Sequence, residues 1–297
     1  MNATRRARAS HGKPGTAMAF NDKPEKSSTK QRARPNTHAC GLPRVWAAPI
    51  TKKILMTKRI KLGMLTPSSN TALEPLTSAM VSGLPNVSAH FSRFTVTEIS
   101  LRDQALGQFD LEKILSAARL LADAHVDVIA WNGTSSGWLG FEKDEALCRQ
   151  ITEATGIPAT TSVLALNEIL TKTGARDFGL VTPYLNDVQQ RIVQNYKRHG
   201  LNCVTERHLD LHVNHSFADV TEDTICTLVR EVAQHKPAAI TTFCTNLRAA
   251  HLVEALEAET GIPVYDTIST VVWKSLRLAG VDTRELRGWG RLFAEVA

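Results

Sequence analysis

The chain repeats itself, and the repeat constrains the fold more than any other feature of its 297 residues. Gly63-Met64-Leu65-Thr66-Pro67-Ser68-Ser69-Asn70 returns 116 residues later as Gly179-Leu180-Val181-Thr182-Pro183-Tyr184-Leu185-Asn186, sharing Gly, Thr, Pro and Asn. Thr155-Gly156-Ile157-Pro158 returns after 105 residues as Thr260-Gly261-Ile262-Pro263. Between these anchors VDVIAWNGTSS lies over PAAITTFCTNL at an offset of 111, so that Gly133 falls opposite Cys244.

Short apolar runs rich in β-branched residues alternate with helical patterns from Ile60 onward. The runs are IKLGML, VSAHFSRFTV, VDVIAW, FGLVTP, NCVTERHL and AAITTF; the helical patterns begin near Thr71 and cover about 110–124, 142–155, 186–199, 219–234 and 248–259. Strands apolar on both faces belong to buried, mostly parallel sheets. The expected fold class is therefore α/β, two similar halves with mostly parallel sheets and an active site in the cleft between them. The first half is expected over 58–172 and the second over 173–267, with 268–297 packing back on the first.

Charge separates the remainder. Residues 1–59 hold 14 Lys/Arg against Asp22 and Glu25, while the other residues hold 21 Lys/Arg against 27 Asp/Glu, within an overall net of +6. The folded part is thus acidic, which argues against a nucleic-acid partner. Residues 1–57 mix Pro, Gly, Ser, Thr and Lys without periodicity and read as a disordered basic tail. Translation starting at Met56 would remove nearly all of it. No run of about 18 apolar residues occurs, so neither a spanning helix nor a membrane partner is expected. Five scattered cysteines without a CxxC pair suit reduced thiols in the cytoplasm.

In open α/β sheets ligands collect beyond the carboxyl ends of strands, where helix N-termini present unpaired N–H groups. Two facing halves would line a cleft with four polar turns, TPSSN, NGTSS, TPYLN and FCTN, suited to a small carboxylate or dicarboxylate. The NGTSS turn offers the amides and hydroxyls of Gly133, Thr134 and Ser135 but no acid, base or nucleophile. It reads as a helix cap or an oxyanion hole, two compatible roles. Cys244, followed by Thr245 and Asn246, sits where a helix N-terminus would lower a thiol pKa, which makes it the candidate acid, base or nucleophile; the alternative is a small buried apolar residue. Pro67, Ser69 and Asn70 in one half match Tyr184 and Asn186 in the other, and turn chemistry alone does not explain Thr-Pro-x-x-Asn twice.

The other candidates read as bland. Cys148 and Cys226 fall at apolar positions of helical patterns and Cys203 opens a strand. His208, His212 and His215 with Asp210 lack the i, i+4 pair of a helical metal site, so no metal is expected. Cleft-wall residues between about 95 and 108 and between 209 and 219 would set the substrate side chain.

Together TPSSN, NGTSSGW, TPYLNDV, the lone Cys of FCTN, the two TGIP turns and Gly288-Trp289-Gly290-Arg291-Leu292-Phe293 resemble the aspartate/glutamate racemase superfamily, in its branch of arylmalonate decarboxylase and maleate cis-trans isomerase. The resemblance covers about residues 60–294 and implies two α/β domains around a cofactor-free cleft, in a monomer or small homo-oligomer. Most members carry one cysteine per half. The decarboxylases keep the second and have Gly-Thr-Ser in place of the first, a pattern that Gly133-Thr134-Ser135 and Cys244 resemble, with Tyr184 matching a carboxylate-holding tyrosine. One departure is Pro67-Ser68-Ser69-Asn70-Thr71, which looks like the maleate isomerase sequence; there Ser69 and Asn70 would bind a second carboxylate.

The resemblance implies a decarboxylase of a malonate-like diacid. One carboxylate would lie against the hydroxyls of Thr134, Ser135 and Tyr184 and the amides of Ser135 and Thr245, and Cys244 would protonate one face of the enediolate. A maleate-type isomerase or racemase, and a non-catalytic small-acid binder, stand as alternatives. Gly133→Cys is expected to add racemising ability.

Overall fold

Each repeat becomes a four-stranded parallel sheet in the computed structural model, which describes residues 58–102 and 110–297. The basic tail, Cys40, Met56 and part of the 95–108 wall lie outside the described residues. In the first sheet β1 (Ile60–Pro67), β2 (Val87–Phe94), β3 (Val128–Trp131) and β4 (Ala159–Thr161) run in the order 2-1-3-4. In the second, β5 (Asp177–Thr182), β6 (Asn202–His208), β7 (Ala239–Thr242) and β8 (Val264–Asp266) run in the matching order 6-5-7-8. The central strands explain the sequence runs. Every residue of β3 and β7 is buried, as is β1 from Leu62 on, because helices cover both faces.

The repeated glycines have a packing cause. Gly63 pairs with Ile129 and Gly179 with Ile240, the same place in each sheet. A Cβ on Gly63 would lie 2.8 Å from Val126 Cγ2, and one on Gly179 would lie 2.2 Å from Val232 Cγ1. Only glycine lets the covering segment approach the strand this closely.

The helices in chain order are α1 (Leu73–Val81), α2 (Leu111–Asp123), α3 (Ser136–Leu139), α4 (Phe141–Thr155), α5 (Ser162–Thr173), α6 (Asn186–Arg198), α7 (Glu222–Ala233), α8 (Val253–Thr260), α9 (Thr267–Leu278) and α10 (Leu292–Glu295). Each TGIP turn ends a helix: Gly156 after α4 and Gly261 after α8 take φ of 73° and 74°, the left-handed cap. The chain then enters a three-residue edge strand and a capped helix. Thr161 Oγ1 accepts from Leu164 N at 3.0 Å for α5, and Asp266 Oδ1 accepts from Ile268 N at 2.8 Å for α9.

α5 and α9 bring the halves together. Thr270 Oγ1 on α9 donates to Ser162 O at 3.1 Å, and Lys274 pairs with Glu168 on α5. The chain end stays on this side as well: Trp273 Nε1 donates to Val296 O at 3.0 Å and Lys172 Nζ to Ala297 O at 2.9 Å. One apolar core runs continuously from Leu62 and Ile129 through Leu166, Val271 and Trp273 to Phe178 and Phe243. No helix among the described residues is long and apolar enough to cross a membrane.

Candidate active site

The turns that leave β1, β3, β5 and β7 converge at the carboxyl ends of the sheets, as parallel topology requires. They line a chamber of about 20 Å³ that is open on one side. Its polar wall is Thr134 and Ser135 from the first half with Tyr184, Cys244 and Thr245 from the second. Pro67 and Gly133 close it beside an apolar wall of Val96, Ile99, Trp131 and Trp138.

The hydroxyls form a chain. Thr134 Oγ1 and Tyr184 OH are 2.6 Å apart, and the phenol also reaches the Cys244 thiol. Tyr184 is fixed edge-on against Trp138 and Phe217, with ring centroids 5.4 and 5.6 Å away. Burial lifts its pKa well above the usual phenol range, so the hydroxyl keeps its proton as a donor.

Cys244 is 2% exposed. Burial pushes its thiol up to about 11, although hydrogen bonds from Tyr184 and from the amides of Asn246 and Leu247 act in the opposite direction. The expectation of a lowered pKa at a helix start is therefore corrected. The next α-helix, α8, begins only at Val253, and between them lie a loop, buried except at Arg248, and a 3-10 turn at Ala250–Leu252. Without a helix dipole at hand, desolvation wins and the thiol is a neutral acid at pH 7.

Gly133 is glycine for a visible reason. A Cβ there would lie 2.0 Å from Trp131 Cζ2 and 2.4 Å from Cε2, so the indole lies directly over its Cα. The position that aligns with Cys244 is covered by an aromatic ring instead of carrying a second acid. Gly133→Cys alone therefore clashes, and that substitution needs the indole to move.

Four of the sequence candidates lie outside the chamber lining. Asn70 and Asn246, both buried, bind the two halves to each other. Asn70 Nδ2 donates to Thr245 O at 3.0 Å, while its Oδ1 accepts from Ala72 N and Leu73 N at 3.0 and 2.9 Å. Asn246 reciprocates: its Oδ1 accepts from Thr71 N and Ala72 N at 3.0 and 3.2 Å, and its Nδ2 donates to Asn214 O at 2.6 Å. Ser69 Oγ donates to Val96 O at 2.6 Å and accepts from Asn214 Nδ2 at 2.8 Å. Asn186 is exposed at the start of α6, its amide donating to Asp210 Oδ1.

Val96, Ile99 and Asn214 line the chamber from the two wall segments. The individual residues had no signal beyond position. Trp131 carries no site signal in the sequence because an aromatic at the end of an apolar run reads as core, and Trp138 carries none beyond its place after the NGTSS turn. Cys148, Cys203 and Cys226 are half-buried free thiols elsewhere. His208 is paired with Glu206 at 2.9 Å and His215 with Asp219 at 3.8 Å.

The chain matches the family described as arylmalonate decarboxylase over residues 62–293. It is 29% identical over 188 residues to an arylmalonate decarboxylase of Bordetella bronchiseptica, which spans 62% of this chain and 78% of that protein. It is 22% identical over 239 residues to a maleate isomerase of Geobacillus stearothermophilus, spanning 77% and 95%. The fold is similar to that of the maleate cis-trans isomerase of Nocardia farcinica, in a cysteine-to-serine mutant with a covalently bound succinylcysteine intermediate: the TM-score is 0.73 and identity 23%, over 80% of this chain and 99% of that one.

Proposed function

The chain belongs to the arylmalonate decarboxylase family, and from that premise we propose that it is a cofactor-independent decarboxylase of a malonate-like diacid. One substrate carboxylate lies against Thr134, Ser135 and Tyr184. The other faces the apolar wall of Val96, Ile99 and Trp138, where a charged group is poorly solvated and its loss as carbon dioxide is favoured. The C–C bond breaks and its electron pair passes to the retained carboxylate as an enediolate. That anion takes hydrogen bonds from the same hydroxyls more strongly than the ground state does. The proton on Cys244 Sγ then moves to the carbon, and the thiolate recovers a proton from water before the next turnover.

The observation that carries this reading is the asymmetry of the chamber. It holds one protonated thiol, and at the matching point of the other half stand Gly133 and an indole. Protonation from one side gives a single enantiomer wherever the carbon is prochiral.

Isomerisation of a maleate-type diacid is the second reading, favoured by the fuller span of the likeness to maleate isomerases. The Nocardia farcinica enzyme carries its adduct on a cysteine while another has been replaced by serine, so it has at least two. The chamber here supplies one among the described residues, and burial leaves it protonated at rest, whereas addition to a double bond starts from the thiolate. The test follows carbon dioxide release from substituted malonates alongside loss of the maleate double bond, for the wild type and Cys244→Ser. Decarboxylation abolished by Cys244→Ser with binding retained is the expected result. Turnover of maleate with no malonate losing carbon dioxide overturns it.

A further inference from the structure

The chamber is too small for the reaction assigned to it. A space needs about 10–15 Å³ to hold one water, and the room beside Cys244 is about 20 Å³. A diacid cannot lie between the NGTSS turn and the thiol until something moves.

Trp131 is the residue in the way, and the structure holds room for it elsewhere. Its indole covers Gly133. On its other side, sharing Trp131 and Ser135 as a wall, lies a pocket of about 310 Å³ between α2 and α4. Leu111, Ile114, Leu139, Ala146 and Leu147 give this pocket an apolar lining. A cavity of about 150 Å³ accepts a benzene ring, so the side pocket has space for an indole. The ring is buried in the core and held there by apolar packing, with Phe94 at a centroid distance of 5.0 Å and no side-chain hydrogen bond to its N–H among the described residues, so turning it exchanges one apolar contact surface for another.

We propose that Trp131 decides what the site admits: its indole turns from Gly133 into the side pocket between α2 and α4, and substrate occupies the room it leaves beside Cys244. The flat space vacated against Phe94 then limits the substituent to the thickness of an aromatic ring. This inference rests on the proposed function only for what enters; the movement itself is independent of it.

The experiment measures access to Cys244 in the full chain, as the rate of its alkylation by iodoacetamide quantified by mass spectrometry. Four proteins are compared: wild type, Ala146→Phe, Trp131→Ala and the double variant. Ala146→Phe fills the pocket in which the indole would turn and is expected to slow alkylation about tenfold, an ordinary coupling between touching side chains. Trp131→Ala should speed it, and in that background Ala146→Phe should change the rate by less than about twofold, because no indole needs the space. Ala146→Leu, a smaller filling, should give an intermediate slowing if the larger one unfolds the chain. A wild-type rate in both Ala146 variants overturns the proposal, as does a slowing that persists undiminished without Trp131. Because alkylation needs no turnover, the expected pattern without any malonate turnover sinks the decarboxylase reading and leaves the movement of Trp131 standing.

Discussion

Asn70 offers the sharpest test of how the two halves hold one site. Replacement by Ala removes the acceptor for Ala72 N and Leu73 N and the donor to Thr245 O. Ala72 N keeps Asn246 Oδ1, but Leu73 N and Thr245 O lose the partner that Asn70 gave them, and both residues are buried. Losing the acceptor that Asn70 Oδ1 gives the first amides of α1 costs about 1 kcal/mol, as loss of a helix cap does, and leaving a buried carbonyl unsatisfied costs about 1–3 kcal/mol more. A total near 3 kcal/mol lowers Tm by roughly 6–12 °C at this chain length. Differential scanning fluorimetry reads it directly. Because Ala72 N is shared, adding Asn246→Ala should cost about 1 kcal/mol more than the sum of the single losses. A Tm within about 2 °C of wild type together with a raised KM would refute this reasoning and return Asn70 to the substrate-binding role that its motif suggested.

Two further predictions concern protons. Asp144 is buried behind the NGTSS turn, where desolvation pushes its pKa up to about 7 while the hydroxyls of Thr161 and Ser136 pull it down. Its folded-state pKa exceeds the unfolded one, so the folded state holds the proton more tightly. Stability should fall between about pH 4 and 7 and then level, by about 4 kcal/mol; Asp144→Asn should have little effect at pH 4 and raise Tm at pH 8, and a difference that does not change with pH would count against it. For catalysis, a thiol near pH 11 stays protonated across the neutral range, so kcat/KM should lose its acid only as pH approaches 11; a limb centred near 8.5 would mean a thiolate is formed far more easily than the chamber allows.

The parts of the fold legible in the sequence were those set by local pattern. Gly63 and Gly179 announced the duplication because each must let a covering side chain touch a strand. β4 and β8 escaped the periodicity, three residues each being too short to show alternation. α5 and α9 escaped it too, because both are buried around most of their circumference and carry little polar stripe. At the site, the motifs brought Thr134, Ser135, Tyr184 and Cys244 to one chamber. They did not tell a turn that binds ligand from one that binds its counterpart, which is why Asn70 and Asn246 read as ligand contacts. The thiol pKa was misjudged because a helix start was inferred from Thr245-Asn246, whereas those residues fold as a loop held by Asn132 O and Asn214 O.

The contact of α5 with α9 has a consequence for symmetry. If the halves were two copies of one shorter chain, that contact would lie at or near a twofold axis, and every turn in the cleft would be present twice. Such a homodimer would carry a thiol on both sides or on neither, and could never have glycine facing cysteine. Joining the copies covalently removes that restriction: each side mutates alone. A single thiol in the cleft is thus available to a duplicated chain and barred to its symmetric counterpart, and the one-sided protonation proposed above would follow from chain connectivity.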